Sequence, residues 1–203
     1  IVVKALNAAN AVVPFNGGSV TATLSAADSL ATIEGTGVTG GTSATVSVLA
    51  APIGTFTLSG VFTKAQSQSV QIHSGTLDGT SNTFTVQNGL PDHLKITSVV
   101  DTSRTPVLPS PAANQPFAVG FTVYDGYDNL DTTTPVQVTL SAPNASGGSL
   151  SPVPPTGLSG GDGTGSITAT YSVAQAGLQL AIGSDGLTGD STTVDVEIGR
   201  AHV

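Results

Sequence analysis

A chain of 203 residues with 25 glycines, 12 prolines, 9% charged and 4% aromatic residues excludes long helices, which draw on the Lys, Glu and Arg that are scarce here. A net charge of −8 with five Lys and Arg argues against nucleic acid, whose phosphates need clustered cations, and against docking on anionic lipid. Zero Cys removes disulfides, thiolate nucleophiles and Cys-ligated metals, and no run approaches the ~18 apolar residues that span a bilayer.

In chain order, IVVKAL (1–6) has the pattern of an internal strand with no opening strand before it. SVTATLSA (19–26), ATVSV (44–48), GTFTLSGVF (54–62), SVQIH (69–73) and a closing FTV (84–86) follow, with about a dozen extra residues around 59–72 that allow an additional strand pair. After NGLPD (88–92) come LKITSVV (94–100) and a crossing marked by Pro106, Pro109, Pro111 and Pro116. PFAVGFTVYD (116–125) alternates strictly at Phe117, Val119, Phe121 and Val123, the period of a half-buried strand. PVQVTLSA (135–142), SITATYSV (166–173), LQLAI (178–182) and a closing TTVDV (192–196) complete the set. Short strands separated by turns such as Asp78-Gly79, Asn88-Gly89 and Asp185-Gly186 predict an all-β fold of sandwich type.

The chain repeats itself. FTVQNGLPDHL (84–94) is echoed by VDVEIGRAHV (194–203), with Val86 and Val196, and Gly89 and Gly199, 110 residues apart; His93 falls near His202. SVTATLSA answers PVQVTLSA at an offset of 116, and TGVTGG (36–41) answers TGLSGG (156–161) at 120, so loops differ in length between copies. The expected organisation is therefore two tandem domains, 1–88 and 89–199, with 200–203 starting a further repeat or a tail. Gly89, Leu90, Pro91 and Asp92 form the expected interdomain hinge, stiffened by Pro91, which fixes its own φ and restricts Leu90. With no Met at residue 1 and no opening strand in the first copy, both ends are expected to be cuts through a longer repeat. The alternative is a filament subunit whose open first sandwich accepts a strand from a neighbouring copy.

The run from FTV through NGLPDHLKI to PFAVGFTVYDGYDN, VQVTLSA, GTGSITATYS, AGLQLAI and TTVDV resembles the bacterial immunoglobulin-like repeats of large secreted and surface proteins, the group that includes invasin and intimin modules. The resemblance covers nearly all of the second module and most of the first. It implies two tandem Ig-like β-sandwich domains of Greek-key type, extracellular or at the cell surface, acting as a non-catalytic stalk whose partners are neighbouring repeats, copies of itself, or a host-surface or glycan ligand. The Cys, Trp, Cys core of antibody-type domains is absent. The turn residues also differ between copies, Tyr124-Asp125-Gly126-Tyr127-Asp128-Asn129 against Leu6-Asn7-Ala8-Ala9-Asn10, so a role for that turn need not be shared.

Candidate sites are few. The repetition of His93 and His202 explains those residues better than catalysis does, Ser is so abundant that a Ser near a His means little, and no enzymatic role is expected. Asp125, Asp128 and Asp131 are the candidate calcium ligands, since a turn can converge carboxylates with carbonyls around a hard cation. The competing explanation is that Asp and Asn favour turns by bonding their own backbone. No other cofactor is expected. A cadherin-like site of Asp92 with Asp101 and Asp162 or Asp190 is a weaker arrangement, as is a Lys4–Asn82 isopeptide crosslink with Glu34 as its acid, because the second module has Thr122 and Thr192 at those places. The sequon Asn144-Ala145-Ser146 lies in a Gly- and Ser-rich loop, but one sequon in a chain of this length is expected by chance, so glycosylation is not indicated. A carbohydrate-binding module would have to stack sugars on Tyr124, Tyr127 or Tyr171, of which Tyr127 is expected to be exposed, and there is no Trp.

Overall fold

The computed structural model describes residues 1–39, 42–103, 109–152 and 154–198. These contain strands and no helix, in two compact units, Ile1–Gln87 and Asn88–Val203. In the first unit the strands are β1 (Val2–Lys4), β2 (Gly18–Leu24), β3 (Thr32–Ile33), β4 (Thr36–Gly37), β5 (Ser43–Val48), β6 (Thr55–Thr57), β7 (Gly60–Val61), β8 (Ser67–Gln68), β9 (Val70–Ser74), β10 (Leu77–Thr80) and β11 (Phe84–Thr85). In the second they are β12 (Pro91–Asp101), β13 (Pro116–Asp125), β14 (Gln137–Ser141), β15 (Leu150–Ser151), β16 (Thr156–Leu158), β17 (Thr164–Tyr171), β18 (Gln175–Gly183) and β19 (Asp190–Val196).

The second unit is built of two four-stranded sheets, β12-β13-β17-β15 and β16-β14-β18-β19. That order, with consecutive strands crossing between sheets, is the Ig-like Greek-key sandwich. Alternation drives it. Phe117, Val119, Phe121 and Val123 of β13 are buried at every second position, as are Ile167, Ala169 and Tyr171 of β17 and Leu178, Leu180 and Ile182 of β18. These faces meet Val138, Leu140 and Leu94 in one core. Each fully buried large aliphatic or aromatic side chain contributes about 1.5–3 kcal/mol, which outweighs the weak intrinsic preferences of Thr, Ser and Gly on the outer faces.

The first unit repeats the second sheet as β10-β9-β2-β5, but β1 pairs with β6 alone, and β3 pairs with β4 and β7. Its core is thinner, ten fully buried apolar residues against fifteen among the described residues. The correspondence nevertheless extends to single hydrogen bonds. Ala5 donates to Gly54 O and Val13 to Ala5 O, as Val123 donates to Gly163 O and Asp131 to Val123 O. Gly54 and Gly163 both have left-handed φ (+64° and +73°), and a Cβ on either would lie 2.1 Å from Val13 O or 2.4 Å from Asp131 O, so only glycine fits.

Two expectations about the first unit fail in detail. GTFTLSGVF is not one strand: Leu58 turns into the core while bonding Ile1, Ser59 N–H turns to the Glu34 carboxylate, and the chain passes from β1 as partner to β3. The extra strands of the 59–72 stretch, β7 and β8, do not pair with each other; β8 pairs with β11, beside the Phe62–Phe84 ring contact at 5.2 Å. Buried Gln68 fixes this arrangement by accepting from Ser25 Oγ and Ala26 N–H and donating to Ala26 O.

Candidate functional site

The acidic turn grows out of the end of β13. Asp125 is buried, and its carboxylate accepts four hydrogen bonds: Oδ1 from the N–H groups of Tyr127 and Asn129 (2.9 Å each), Oδ2 from Gly89 N–H (2.7 Å) and Asn129 Nδ2 (2.9 Å). Burial, the largest single influence, opposes its charge, but the donors from Asn129, Gly89 and Tyr127 together outweigh it and hold the carboxyl below its ordinary range. Asp128 takes the left-handed position of the turn, at φ +59°. Its exposed carboxylate meets Lys95 Nζ at 2.9 Å and His93 Nε2 at 3.1 Å, while the His93 ring stacks on Tyr124 and Lys95 Nζ lies 4.6 Å from the Tyr124 centroid. The Lys95 hydrogen bond and charge lower the Asp128 pKa, and Asp128 raises that of Lys95. Asp131 is also buried; its Oδ1 accepts from Asn88 Nδ2, from Thr133 N–H and Oγ1, and from Thr134 N–H.

The three carboxylates thus have three separate sets of partners. Asp125 and Asp131 both reach back to the 88–89 segment, whereas Asp128 faces outward to β12. Among the described residues no group of three His, Asp or Glu side chains stands where it could hold a metal ion. Asp92, Asp101 and Asp162 are engaged by residues one or two positions away, and Asp190 accepts from Ile96 N–H at 2.7 Å.

The first unit contains the same turn with the charge removed. Asn7 Oδ1 accepts from Ala9 and Ala11 N–H at 3.0 Å each, Asn10 is left-handed at φ +59°, and Asn7 N–H bonds Ala11 O as Asp125 N–H bonds Asn129 O. The differing residues therefore make one geometry. What the carboxylate adds in the second unit is the pair of bonds on Oδ2, one of which binds Gly89.

Gly89, Leu90, Pro91 and Asp92 lie within the second unit. Pro91 opens β12 opposite Asp125, a bulge follows before His93, and Leu90 is exposed. Tyr127 is exposed, Tyr124 half-buried between its neighbours, and Tyr171 fully buried with its hydroxyl donating to Gln175 Oε1 at 2.7 Å. Lys4, Asn82 and Glu34 are all exposed, without the water-free surroundings a crosslink would require. The sequon Asn144 is tied down at both ends, donating to Gly177 O (2.8 Å) and accepting from Gln179 N–H (2.7 Å). His202 lies outside the described residues.

One polar anchor was missed by the sequence reading. Buried Asp28 accepts from Thr63 N–H and Oγ1 and from Lys64 N–H, tying the loop after β2 to the segment before β8. Burial opposes its charge, but these bonds prevail and lower its pKa. The signal was present: LSAAD and LSAPN align at the offset of 116, so Asp28 and Asn144 are the same loop anchor in two copies.

Fold and turn together define a chain of two Ig-like β-sandwich modules of one design. No protein-family profile matches it, and no curated protein does. Among solved structures it is similar to the adhesin FdeC of Escherichia coli, at 19% identity over 98% of this chain and 55% of that one, TM-score 0.43. It is also similar to a β-glycosidase from Bacteroides vulgatus (11%, 89% and 22%, 0.41) and to domains 4–9 of the surface layer protein SbsC (17%, 82% and 27%, 0.37). The chain spans about a fifth of that glycosidase and about half of that adhesin. At these identities and scores the likenesses carry no argument about activity or partners.

Proposed function

We propose that the chain is a structural, non-catalytic segment of a larger extracellular or cell-surface protein, of the bacterial Ig-like repeat type, in which sandwiches in series act as a spacer. The observation that carries this reading is the repetition of one module with its turn, glycine and strand registers intact while the turn's charge is not kept. A reaction or a resident metal requires particular side chains, and Asn7 in place of Asp125 preserves only the architecture. Asp125 and Asp131 direct hydrogen bonds to the turn itself and to the 88–89 segment, which is the work of a scaffold.

The test is to follow the native protein with an antibody raised against these residues. The expected result is a surface-exposed antigen, removed by protease from intact cells, in a chain far heavier than 20.0 kDa. An intracellular antigen, or one near that mass assembled into filaments, would refute the spacer reading.

A further inference from the structure

We infer that Asn16 is the position at which this chain deamidates spontaneously, and that Asp125 and Asp131 hold the same reaction off Asn88. The inference concerns the two Asn-Gly pairs of the sequence, Asn16-Gly17 and Asn88-Gly89, and does not depend on the spacer reading.

Asparagine is a labile residue, and most so before glycine, whose missing Cβ leaves its amide nitrogen open to the neighbouring side chain. The glycine nitrogen attacks Asn Cγ, an N–Cγ bond forms and the Cγ–Nδ2 bond breaks. The amide proton leaves with Nδ2 as ammonia. Water then opens the imide on either side of its nitrogen, giving aspartate or isoaspartate with no change of oxidation state. Two conditions follow. The side-chain amide must be free to swing onto the glycine nitrogen, and that nitrogen must give up its proton.

Asn16 meets both. It is exposed, and among the described residues no side-chain hydrogen bond holds it. Gly17 precedes β2, and its N–H donates to no backbone carbonyl among the described residues.

Asn88 meets neither. Its Nδ2 donates to Asp131 Oδ1 at 2.9 Å, to Gly89 O at 3.0 Å and to Thr133 Oγ1 at 3.3 Å, while Gly89 N–H donates to Asp125 Oδ2 at 2.7 Å. Asp125 and Asp131 are each 1% exposed, so any donor withdrawn leaves a buried carboxylate short of a partner. Asp131 is the more dependent of the two, because its Oδ2 is buried without a hydrogen-bond partner among the described residues and Oδ1 takes all its donors. Charge acts in the same sense. Loss of the Gly89 proton would put an amide anion 2.7 Å from the Asp125 carboxylate, and like charges that close oppose ionisation.

The protection guards the clasp itself. Aspartate at position 88 would have no Nδ2 to offer Asp131 and would set a second carboxylate beside it, whereas a carboxylate at exposed position 16 has water to solvate it.

The experiment incubates the whole chain at mildly alkaline pH and follows the exchange of amide for carboxylate by mass spectrometry of tryptic peptides. Lys4, Lys64 and Lys95 bracket the two pairs and place them in different peptides. Denatured chain supplies the intrinsic rates, expected to be similar for both pairs. In the folded chain Asn88 should lag Asn16 by about tenfold or more, the factor of one hydrogen bond to a charged group. Asp131→Ala should bring Asn88 back toward its denatured rate and leave Asn16 unaltered, with emission from buried Tyr171 reporting whether the unit is folded. Thr133→Val, at an exposed position that leaves the fold in place, removes one acceptor from Asn88 and one donor from Asp131 and should speed Asn88 several-fold. An Asn88 that converts as fast as Asn16 in the folded chain, an Asn16 that stays intact, or an Asn88 rate unmoved by the substitutions that stay folded overturns the inference.

Discussion

Replacing Asp125 by alanine removes the acceptor of four hydrogen bonds at one stroke. Tyr127 is exposed, and water takes over its N–H, but Asn129 is buried. A buried donor deprived of its acceptor costs about 1–3 kcal/mol. The two Asn129 donors and the lost Gly89 bond together put the loss at about 3–4 kcal/mol, summed from that same range. At a urea dependence of about 1–3 kcal/mol/M, the midpoint falls by roughly 2 M. Tyrosine emission isolates the effect, because Tyr124, Tyr127 and Tyr171 all belong to the second unit and there is no Trp. Asp125→Asn keeps the two turn bonds, as Asn7 does, and sets an amide against Gly89 N–H, so its loss is smaller, about 1–2 kcal/mol. A loss under about 0.5 kcal/mol for the alanine variant refutes the clasp, since surface substitutions without a structural role fall in that range. Calcium that raised the midpoint of the unaltered chain but not of Asp125→Ala would make Asp125 a metal ligand instead.

Other outcomes follow from the same geometry. Asp125 and Asp28 have folded-state pKa values below their unfolded ones, so their contribution is complete above the ordinary carboxylate range and is lost as pH falls from about 4 through the folded values. Unfolding midpoints of both units should decline there, with a shallower decline for the second unit in Asp125→Asn. Gly165→Ala sets a Cβ 2.3 Å from the buried Phe121 ring, and should cost about 1–3 kcal/mol in the tyrosine-monitored transition; no change would mean that the ring has room to shift. Asp28→Ala should cost the first unit about 2–3 kcal/mol and speed amide exchange in β3 and β7, whereas unaltered exchange there would show that the loop holds without it.

Much of the fold was legible because alternation in a strand reports directly on burial. Phe117 through Val123 announced their inward face without any knowledge of a partner, and the echo of TLSA at 23–26 and 139–142 announced two copies of one module. The acidic turn was legible as a turn, since Asp and Asn close such loops on their own backbone. Its purpose was not, because Oδ2 of Asp125 meets Gly89, 36 residues earlier in the chain. The break of GTFTLSGVF into β6 and β7 was hidden for the same reason: its cause is the choice of β1 and β3 as partners, which no local pattern carries.

By itself the sequence determined the class, the module repeat and the inward residues, all properties of side-chain period, whereas Asp78-Gly79, expected as a turn, lies inside β10. Tertiary structure alone decided who stands beside whom. Phe121 packs over Gly165 in one unit while Val3 faces Phe56 in the other, the large and small residues exchanged across an equivalent pair. A strand's period sets which face is buried but leaves the identity of its neighbour to contacts distant in the chain.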